Sequence, residues 1–227
     1  MRKLYAHILS PACRKVRIAL GEKALSFDMI SVNFTNYETE FLAMNPTGEI
    51  PVLKENDNTV IAGTDVICEY LDEKYADKPS LLGDTPEKRA EARRLADWFD
   101  RKFAFEATYP LLREKVLKSI YSSVAPDSKI IRAGKSALKE HFGYIKWLVQ
   151  RRKWLAGDNI SYADIAAAAQ ISVIDYLGDI DWDYLERTAP DVKDWYVKIK
   201  SRPSFKGVLK DRQNGFIPPS YYSQLDF

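Results

Sequence analysis

Residues 45–53, Asn-Pro-Thr-Gly-Glu-Ile-Pro-Val-Leu, constrain the fold of this chain more than any other stretch. Proline has no backbone N–H, so within a sheet it is confined to an edge strand or to the first residue of a strand. Pro51 therefore predicts that a strand over residues 50–55 begins at this point. An X-Pro bond also has an accessible cis form, a minority state that local packing must hold in place. Two interpretations follow: Pro51 shapes a binding site, or it only begins an edge strand.

The chain has 227 residues, enough for one large domain or two small ones, and the patterns described below favour two. Its 34 Lys and Arg against 32 Asp and Glu give a net charge of +2, which provides no support for a nucleic-acid partner. The charge is unevenly distributed. Residues 1–77 carry 8 basic and 12 acidic side chains (net −4), which leaves 26 and 20 (net +6) for residues 78–227. The C-terminal part is therefore the basic one.

Cysteine usage and hydropathy both bear on the cellular compartment. The two cysteines, Cys13 and Cys68, match neither a disulfide framework nor the spacing of metal ligands, as is usual in a reducing cytoplasm. The sequence shows no signal peptide and no apolar run of membrane-spanning length. We therefore expect a soluble, cytoplasmic protein that is not inserted in a membrane and holds no metal.

The first 77 residues follow an α/β pattern. Ser10 as N-cap and Pro11 at the first helical position predict a helix over 11–23 between strands 3–8 and 27–34, which is a βαβ start. Apolar periodicity and turn residues predict the remaining elements: a short helix near 37–44, strands 50–55 and 59–62, and a helix over 64–75. Together these elements give a thioredoxin-like βαβαββα domain over residues 1–77.

From residue 78 onwards the pattern is helical. A polar linker, residues 78–86, precedes a domain over 87–214 that opens with a long helix ending near residue 118. The helix predicted over 135–151 carries apolar residues at helical spacing. Ser161 and Asp164 form a capping box, in which each side chain satisfies the other's backbone N–H, so we interpret this pair as a folding device and not as a catalytic pair.

The C-terminal tail, residues 215–227, contains four aromatic residues and two consecutive prolines. Disordered termini are poor in aromatic residues, so this composition is not that of a disordered end. We expect the tail either to dock on its own domain or to be offered to a partner.

Four segments, in family order along the chain, resemble the glutathione transferase family: residues 9–20, 45–53, 154–165 and 190–203. The resemblance implies the glutathione transferase fold, which joins an α/β thioredoxin-like N-terminal domain to an all-α C-terminal domain. In that family the second segment opens the third strand. It implies that the bond between Ile50 and Pro51 is cis, and that the backbone of Ile50 is free to pair with the cysteinyl part of glutathione.

The same resemblance places the thiolate-stabilising hydroxyl of serine-type members at Ser10. The residue stands at the N-terminus of helix 11–23, where free N–H groups and the helix dipole favour an anion. Cys13, one turn further on, is the alternative reactive residue. Redox-active relatives carry Cys-Pro-x-Cys at this turn, and the first position here is serine, so we do not expect disulfide exchange. Cys13 either has a pKa lowered by the dipole or is a small residue packed under the sheet.

The chain departs from the family pattern where the helix over 64–75 begins. Active members usually carry Glu-Ser at this turn, and the pair binds the γ-glutamyl carboxylate and ammonium of glutathione. Here the pair is Gly63-Thr64. Thr64 keeps a hydroxyl and Asp65 is placed to replace the lost acid, so we expect glutathione to bind weakly and not to be a required cofactor. Glu49 would repel the carboxylates of glutathione if it faced the site, or it points into water.

The basic side chains of the helical part have two interpretations. Residues 78–135 carry 13 basic and 8 acidic side chains. Such a run is ordinarily a solvated helix face, but it is also the surface that an acidic protein partner requires. The two histidines, His7 and His141, belong to no serine or cysteine triad motif, and we interpret His7 as a packed or interface residue.

Residues 175–182, 195–205 and 225–227 resemble a subgroup of the family, the glutathione-transferase-like cell-division proteins of alphaproteobacteria. Those proteins bind the tubulin-like division polymer FtsZ and link it to septal cell-wall synthesis. The resemblance implies a homodimeric adaptor that is recruited to the division site. It also implies a partner contact at the end of the tail: Leu225, Asp226 and Phe227.

Two functions from different classes therefore remain open. The first is a non-catalytic cell-division adaptor that kept the fold and has a partly degraded glutathione site. The second is a cytosolic glutathione transferase that conjugates glutathione to hydrophobic electrophiles, with Ser10 holding the thiolate, the Ile50 backbone binding the cysteinyl unit and Thr64 binding the γ-glutamyl carboxylate. We favour the adaptor, because Gly63 and the tail both favour it and no residue requires catalysis.

Overall fold

The computed structural model describes residues 1–32 and 38–225. Within the described residues, four short strands form one mixed sheet in the order β2-β1-β3-β4. β1 and β2 are parallel, whereas β3 is antiparallel to both β1 and β4. The strands are β1 (Lys3–Ala6), β2 (Asp28–Ser31), β3 (Val52–Lys54) and β4 (Val60–Ala62).

The N-terminal helices are α1 (Pro11–Glu22), α2 (Thr39–Met44) and α3 (Thr64–Lys74). Helix α1 starts where the sequence predicts, because the side chain of Ser10 accepts a hydrogen bond from the backbone N–H of Cys13 and Pro11 occupies the first turn. The order of strands and helices is the predicted βαβαββα order, so the thioredoxin-like fold of this part is confirmed.

Most of the predicted strands are longer than the observed ones. β1 ends at Ala6 and not at residue 8, because the His7 carbonyl accepts the N–H of Ser10 (3.1 Å) in the turn before α1. β3 begins at Val52, after the Ile50–Pro51 bond. Residues 33 and 34 of the predicted strand 27–34, and residue 37 of the predicted helix 37–44, lie outside the described residues.

The C-terminal part is all helical. Its first helix runs without a break over residues 86–121 and is capped by Thr85, whose side chain accepts the N–H of Lys88. It passes through α-helical and π-helical turns: α4 (Pro86–Asp97), a π segment (Trp98–Thr108), α5 (Tyr109–Leu112), a second π segment (Arg113–Leu117) and α6 (Lys118–Tyr121). The helices that follow are α7 (Ser128–Val149), α8 (Tyr162–Tyr176), α9 (Trp182–Thr188), α10 (Pro190–Lys200) and α11 (Lys206–Leu209).

Helix α7 begins seven residues before the predicted start at residue 135. Its N-cap is Asp127, whose side chain accepts the N–H of Lys129 at 2.7 Å and so fixes the first turn. The capping box of Ser161 and Asp164 is confirmed at the start of α8. Every residue of α8 is buried, so this helix forms the centre of the helical domain.

One hydrophobic core extends through both domains, and polar contacts tie them together. The hydroxyl of Tyr162 on α8 donates to the carbonyl of Cys68 on α3 at 2.7 Å. Arg14 on α1 donates to the hydroxyl of Ser172 on α8 at 2.9 Å. The two domains therefore pack as one unit around α1 and α8.

The segment after α10 docks on its own chain. Tyr222 is fully buried, donates from its hydroxyl to the carbonyl of Val208 (3.1 Å) and packs edge-on against Tyr176. Asp211 accepts two hydrogen bonds from Arg17 on α1, at 2.7 and 2.8 Å. The tail is expected either to dock on its own domain or to be offered to a partner, and the segment around Tyr222 docks on its own domain. Leu225 is 47% exposed, and Asp226 and Phe227 lie outside the described residues.

Candidate functional site

The register of the sheet gathers three loops at one edge. Val52 at the start of β3 pairs with Tyr5 on β1 and with Ala62, the last residue of β4. The loop that follows β1, the loop that precedes β3 and the start of α3 therefore lie at the same end of the sheet. This end holds the residues that the sequence predicts for a glutathione-type site: Ser10, Cys13, Ile50, Pro51, Thr64 and Asp65.

Ser10 caps helix α1 and places its hydroxyl at the helix N-terminus. Its oxygen accepts the backbone N–H of Cys13 at 3.3 Å, and its own N–H donates to the His7 carbonyl. The Ser10 hydroxyl also hydrogen-bonds the thiol of Cys13, which acts to lower the pKa of that thiol against the larger effect of burial. A serine hydroxyl can accept and donate at once, so this group can donate to an anion at the helix N-terminus.

Both cysteines are buried in the core, as free thiols. Burial raises the pKa of the Cys13 thiol to about 11 and that of Cys68 to about 12. The thiolate is the nucleophilic form, and it would be scarce at neutral pH at either position. For Cys13 this environment favours the interpretation as a packed residue and leaves Ser10 as the better candidate for stabilising a bound thiolate.

The bond between Ile50 and Pro51 is cis, as the resemblance implies. The carbonyl of Pro51 accepts the N–H of Gly63 at 3.1 Å, which joins this loop to the start of α3. Within the described part of the chain, neither the N–H nor the carbonyl of Ile50 forms a backbone hydrogen bond. Ile50 thus has one backbone donor and one backbone acceptor of the kind that an extended peptide backbone would bind.

Asn45 braces this loop, a role that sequence reasoning missed. Its buried side chain donates to the carbonyl of Glu49 at 2.8 Å and accepts from the hydroxyl of Thr47 at 3.0 Å. Asn45 is the first residue of the segment over 45–53, and a side-chain amide at this position is the sequence signal for such a brace. The side chain of Glu49 is exposed, which agrees with the interpretation that it points into water.

The start of α3 lacks the acid of active family members. Gly63 has φ +94°, a conformation that favours glycine, and it offers no side chain to cap the helix. Thr64 is partly buried at the first helical position. Asp65, which the sequence offers as a replacement acid, lies 2.7 Å from the ammonium of Lys15. Its carboxylate is therefore already engaged by a cation of the same chain.

Lys15 also connects the cleft to the helical domain. Its ammonium lies 2.5 Å from a carboxylate oxygen of Asp100, and its side chain is 1% exposed. Burial opposes the charged form, but the carboxylates of Asp100 and Asp65 raise the pKa of Lys15, so it stays protonated. Sequence reasoning missed this cluster. Three basic residues within the first two turns of a helix that otherwise faces the core would have indicated it: Arg14, Lys15 and Arg17.

The long helix over 86–121 carries two exposed aromatic side chains. Phe105 is 79% exposed and Tyr109, one turn further on, is 47% exposed. Partial burial raises the pKa of Tyr109, and the negative charges of Asp100 and Glu49 act in the same direction.

Two family models match this chain. "Glutathione S-transferase, N-terminal domain" matches residues 4–80, and "Glutathione S-transferase, C-terminal domain" matches residues 112–212. The crystal structure of a glutathione S-transferase from Rhodospirillum rubrum F11 is 51% identical, covers 100% of both chains and superposes with a TM-score of 0.94. The chain belongs to the glutathione S-transferase family. The fold expected from the sequence, a thioredoxin-like domain followed by an all-helical domain, is therefore the glutathione S-transferase fold.

Two relatives from this family are similar over most or all of the chain. FtsZ-localized protein A of Caulobacter vibrioides (strain NA1000 / CB15N) is 47% identical over 229 residues, which is 100% of this chain and 98% of that protein. Glutathione S-transferase F10 of Arabidopsis thaliana is 31% identical over 215 residues, which is 90% of this chain and 94% of that protein. The similarity to FtsZ-localized protein A therefore includes the tail and exceeds the similarity to the plant transferase.

The basic stretch over residues 78–135 is interleaved with acids. Most of its charged side chains pair within helices or with neighbouring elements, which favours the interpretation as a solvated face. The pairs are Lys88–Asp84, Arg93–Glu69, Arg94–Glu91, Arg101–Asp97, Lys102–Glu106, Lys115–Asp179, Lys118–Glu114 and Lys135–Asp179.

Both histidine rings are engaged by groups of this chain. Burial lowers the pKa of His7, whose ring Nδ1 accepts the N–H of Leu9. His141 is buried against Glu106, at 3.0 Å. In residues 1–32 and 38–225, no cluster of three or more His, Cys, Asp or Glu side chains could hold a metal ion. No helix of the described chain is long and apolar enough to cross a membrane.

Proposed function

We propose that this chain is a non-catalytic adaptor of cell division that associates with FtsZ filaments. One observation carries the proposal: the 47% identity to FtsZ-localized protein A runs through the whole chain, tail included. An adaptor of this kind works in the cytoplasm and is recruited to the division site. A fluorescent fusion to this chain should therefore collect at midcell during constriction.

The state of the glutathione-type site supports the proposal. At Gly63 the acid that active members use is missing, and Asp65 is paired with Lys15. The remaining contacts, the Thr64 hydroxyl and the Ile50 backbone, are neutral hydrogen bonds, which contribute less than charge-assisted ones. Glutathione is in this proposal a weak ligand and not a required cofactor.

Co-sedimentation tests the filament association. Purified FtsZ from an alphaproteobacterium is polymerised with GTP in the presence of this chain, and the pellet is analysed after centrifugation. We expect the chain to pellet with GTP polymers, to stay in the supernatant with GDP-bound FtsZ, and to pellet less as salt rises if the basic helical face contributes. A chain that stays in the supernatant at micromolar concentrations of both proteins contradicts the proposal.

We also propose that the chain works as a homodimer. Relatives pack the N-terminal domain of one subunit on the helices of the other, and here the two parts carry opposite net charges of −4 and +6. Exposed apolar side chains are present on both parts, such as Val66 on α3 and Trp147 on α7. Sedimentation velocity at micromolar concentration should show a dimer. A single 26.0 kDa species in low salt contradicts this part of the proposal.

The end of the tail, Leu225, Asp226 and Phe227, is proposed as a partner contact. Leu225 is half-exposed while the preceding Tyr222 is buried, so an apolar anchor extends just beyond the docked segment. We expect a chain without residues 225–227 to stay folded and to fail in supporting division in an alphaproteobacterial host. Normal division with the truncated protein at normal levels would show that residues 225–227 are not needed for the function.

A second function, glutathione conjugation, is favoured by a different observation. Ser10 places a hydroxyl at the N-terminus of α1, and Ile50 has a backbone N–H and carbonyl without a backbone partner among the described residues. Conjugation of glutathione to a chloronitrobenzene, measured for wild type, Ser10→Ala and the control Ser31→Ala, tests it. Micromolar glutathione affinity with robust turnover that Ser10→Ala abolishes and Ser31→Ala retains would rank the transferase above the adaptor.

A further inference from the structure

A groove lies between helix α7 and the chain segment over residues 179–189, and it shares no residue with the glutathione-type cleft. Its cavity measures about 490 Å³, within the range of ligand-binding sites. Buried apolar side chains from both walls form its floor: Leu138, Phe142, Ile180, Leu185 and Ala189. The groove therefore offers an apolar surface that remains open to solvent at its mouth.

Three lysines stand along the α7 side of the groove: Lys135, Lys139 and Lys146. Lys135 lies 2.7 Å from Asp179, and Lys115 lies 2.9 Å from the same carboxylate, so the charge of Asp179 is compensated twice. Asp181 caps α9 by accepting the N–H of Tyr184 at 2.9 Å. The two acids of the groove are thus already engaged by groups of this chain.

Lys139 and Lys146 have no carboxylate partner among the residues that the structure describes. The ammonium of Lys139 lies 5.5 Å from the ring centroid of Tyr184, on the opposite wall. The ammonium of Lys146 donates to the carbonyl of Thr188 at 2.8 Å. Both cations reach across the mouth to neutral groups, and a carboxylate would bind either of them more strongly.

Gly143 leaves the middle of the groove open. It lies in the interior of α7, where glycine is unfavourable, and a Cβ atom built on it would meet nothing within 4 Å. Gly134 on the same helix differs, because a Cβ there would lie 3.2 Å from Leu111. Close packing explains Gly134 but not Gly143. The absence of a side chain at Gly143 keeps access to the apolar floor.

We propose that this groove binds an extended acidic peptide segment of a partner protein. Its carboxylates would pair with Lys139 and Lys146, and an apolar side chain between them would enter the floor beside Gly143. Lys139 and Lys146 are seven residues apart on α7, which is about 10 Å at the helical rise of 1.5 Å per residue. This span matches about three residues of extended chain, so a short linear segment can reach both lysines. The inference is independent of the FtsZ association.

Fluorescence anisotropy tests the proposal with a defined probe. The probe is a rhodamine-labelled pool of hexapeptides in which Asp or Glu alternates with Leu or Phe, and the control pool carries Asn and Gln instead of the acids. We expect saturable binding of the acidic pool only, weakening as salt rises. The double variant Lys139→Glu/Lys146→Glu should bind at least tenfold more weakly, whereas Lys129→Glu, an exposed lysine of α7 outside the groove, should bind like wild type.

Filling the groove gives a second, independent readout. Gly143→Leu should abolish binding without lowering Tm, because it replaces a helix-interior glycine in open space, and Gly143→Ala should retain binding. Three results would overturn the proposal. The first is equal binding of the acidic and amide pools, and the second is unchanged binding by Gly143→Leu. The third is a protein that binds no peptide but binds the compact anion anilinonaphthalene sulfonate in a way that depends on Gly143. A change of oligomeric state in Gly143→Leu would assign the groove to a second copy of the chain instead.

Discussion

Replacing Lys15 by methionine tests the ion-pair cluster of Lys15, Asp65 and Asp100. The ammonium of Lys15 lies 2.7 Å from Asp65 on α3 and 2.5 Å from Asp100 on the long helix, so one side chain joins both domains. The Asp100 side chain is 18% exposed and that of Asp65 is 75% exposed. Removing the cation therefore leaves one uncompensated, largely buried carboxylate and one that water can solvate.

The expected magnitude follows from this difference in exposure. Breaking a buried ion pair by removing one partner costs about 3–5 kcal/mol, so we expect Lys15→Met to lower the free energy of unfolding by that amount. Asp65→Asn removes only an exposed contact and should cost about 0–1 kcal/mol. The double variant Lys15→Met/Asp100→Leu replaces the buried pair by apolar groups and should recover most of the loss.

Urea denaturation of the four proteins provides the measurement, and its pH dependence provides a check. Burial raises the pKa of Asp100, so the folded state binds this proton more readily than the unfolded chain does. Loss of the Lys15 charge enlarges the difference. The cost of Lys15→Met should therefore shrink as the pH falls from about 7 towards about 5, because the carboxyl group can then be buried in its neutral form. A cost no larger than that of Asp65→Asn, or one independent of pH, would refute this reasoning.

Three further predictions concern the ligand site, the thiols and the tail. Glutathione titrated by calorimetry should bind about ten- to hundredfold more weakly than to an active family member, since the acid missing at Gly63 removes one charge-assisted contact of about 1.5–3 kcal/mol. At about pH 8, Cys13 and Cys68 should react with a disulfide reagent only after unfolding in urea, because burial keeps both thiols protonated. Tyr222→Ala should lower the free energy of unfolding by about 3 kcal/mol, whereas deletion of residues 225–227 should leave Tm close to the wild-type value.

The sequence predicts those features that local chemistry decides. Ser10 and Pro11 predict the start of α1, and the capping box of Ser161 predicts the start of α8, because each signal acts within one helical turn. The start of α7 has an equally local signal, its cap Asp127, but the apolar periodicity alone predicts a start seven residues too late. Cap residues therefore locate helix ends better than periodicity does.

Long-range pairing was not predictable from the sequence. Lys15 meets Asp100, 85 positions away, and Arg17 meets Asp211, 194 positions away. Composition shows how many acids and bases are present, but not which ones the fold brings together. For the same reason Asp65 was a reasonable replacement acid in the sequence, and only the packing of α1 against α3 engages its carboxylate.

The residues that carry the family resemblance also have structural roles, so their presence is weak evidence for catalysis. Ser10 caps α1, Asn45 braces the loop before β3, and the carbonyl of Pro51 holds the N–H of Gly63. A chain that had lost glutathione would keep all three to remain folded, so their presence does not distinguish an enzyme from an adaptor. Gly63 is the exception in what it lacks, because its backbone has a folding role at φ +94° but it offers no acidic side chain to a ligand. The missing acid therefore favours the adaptor, although the backbone conformation at this position also favours glycine.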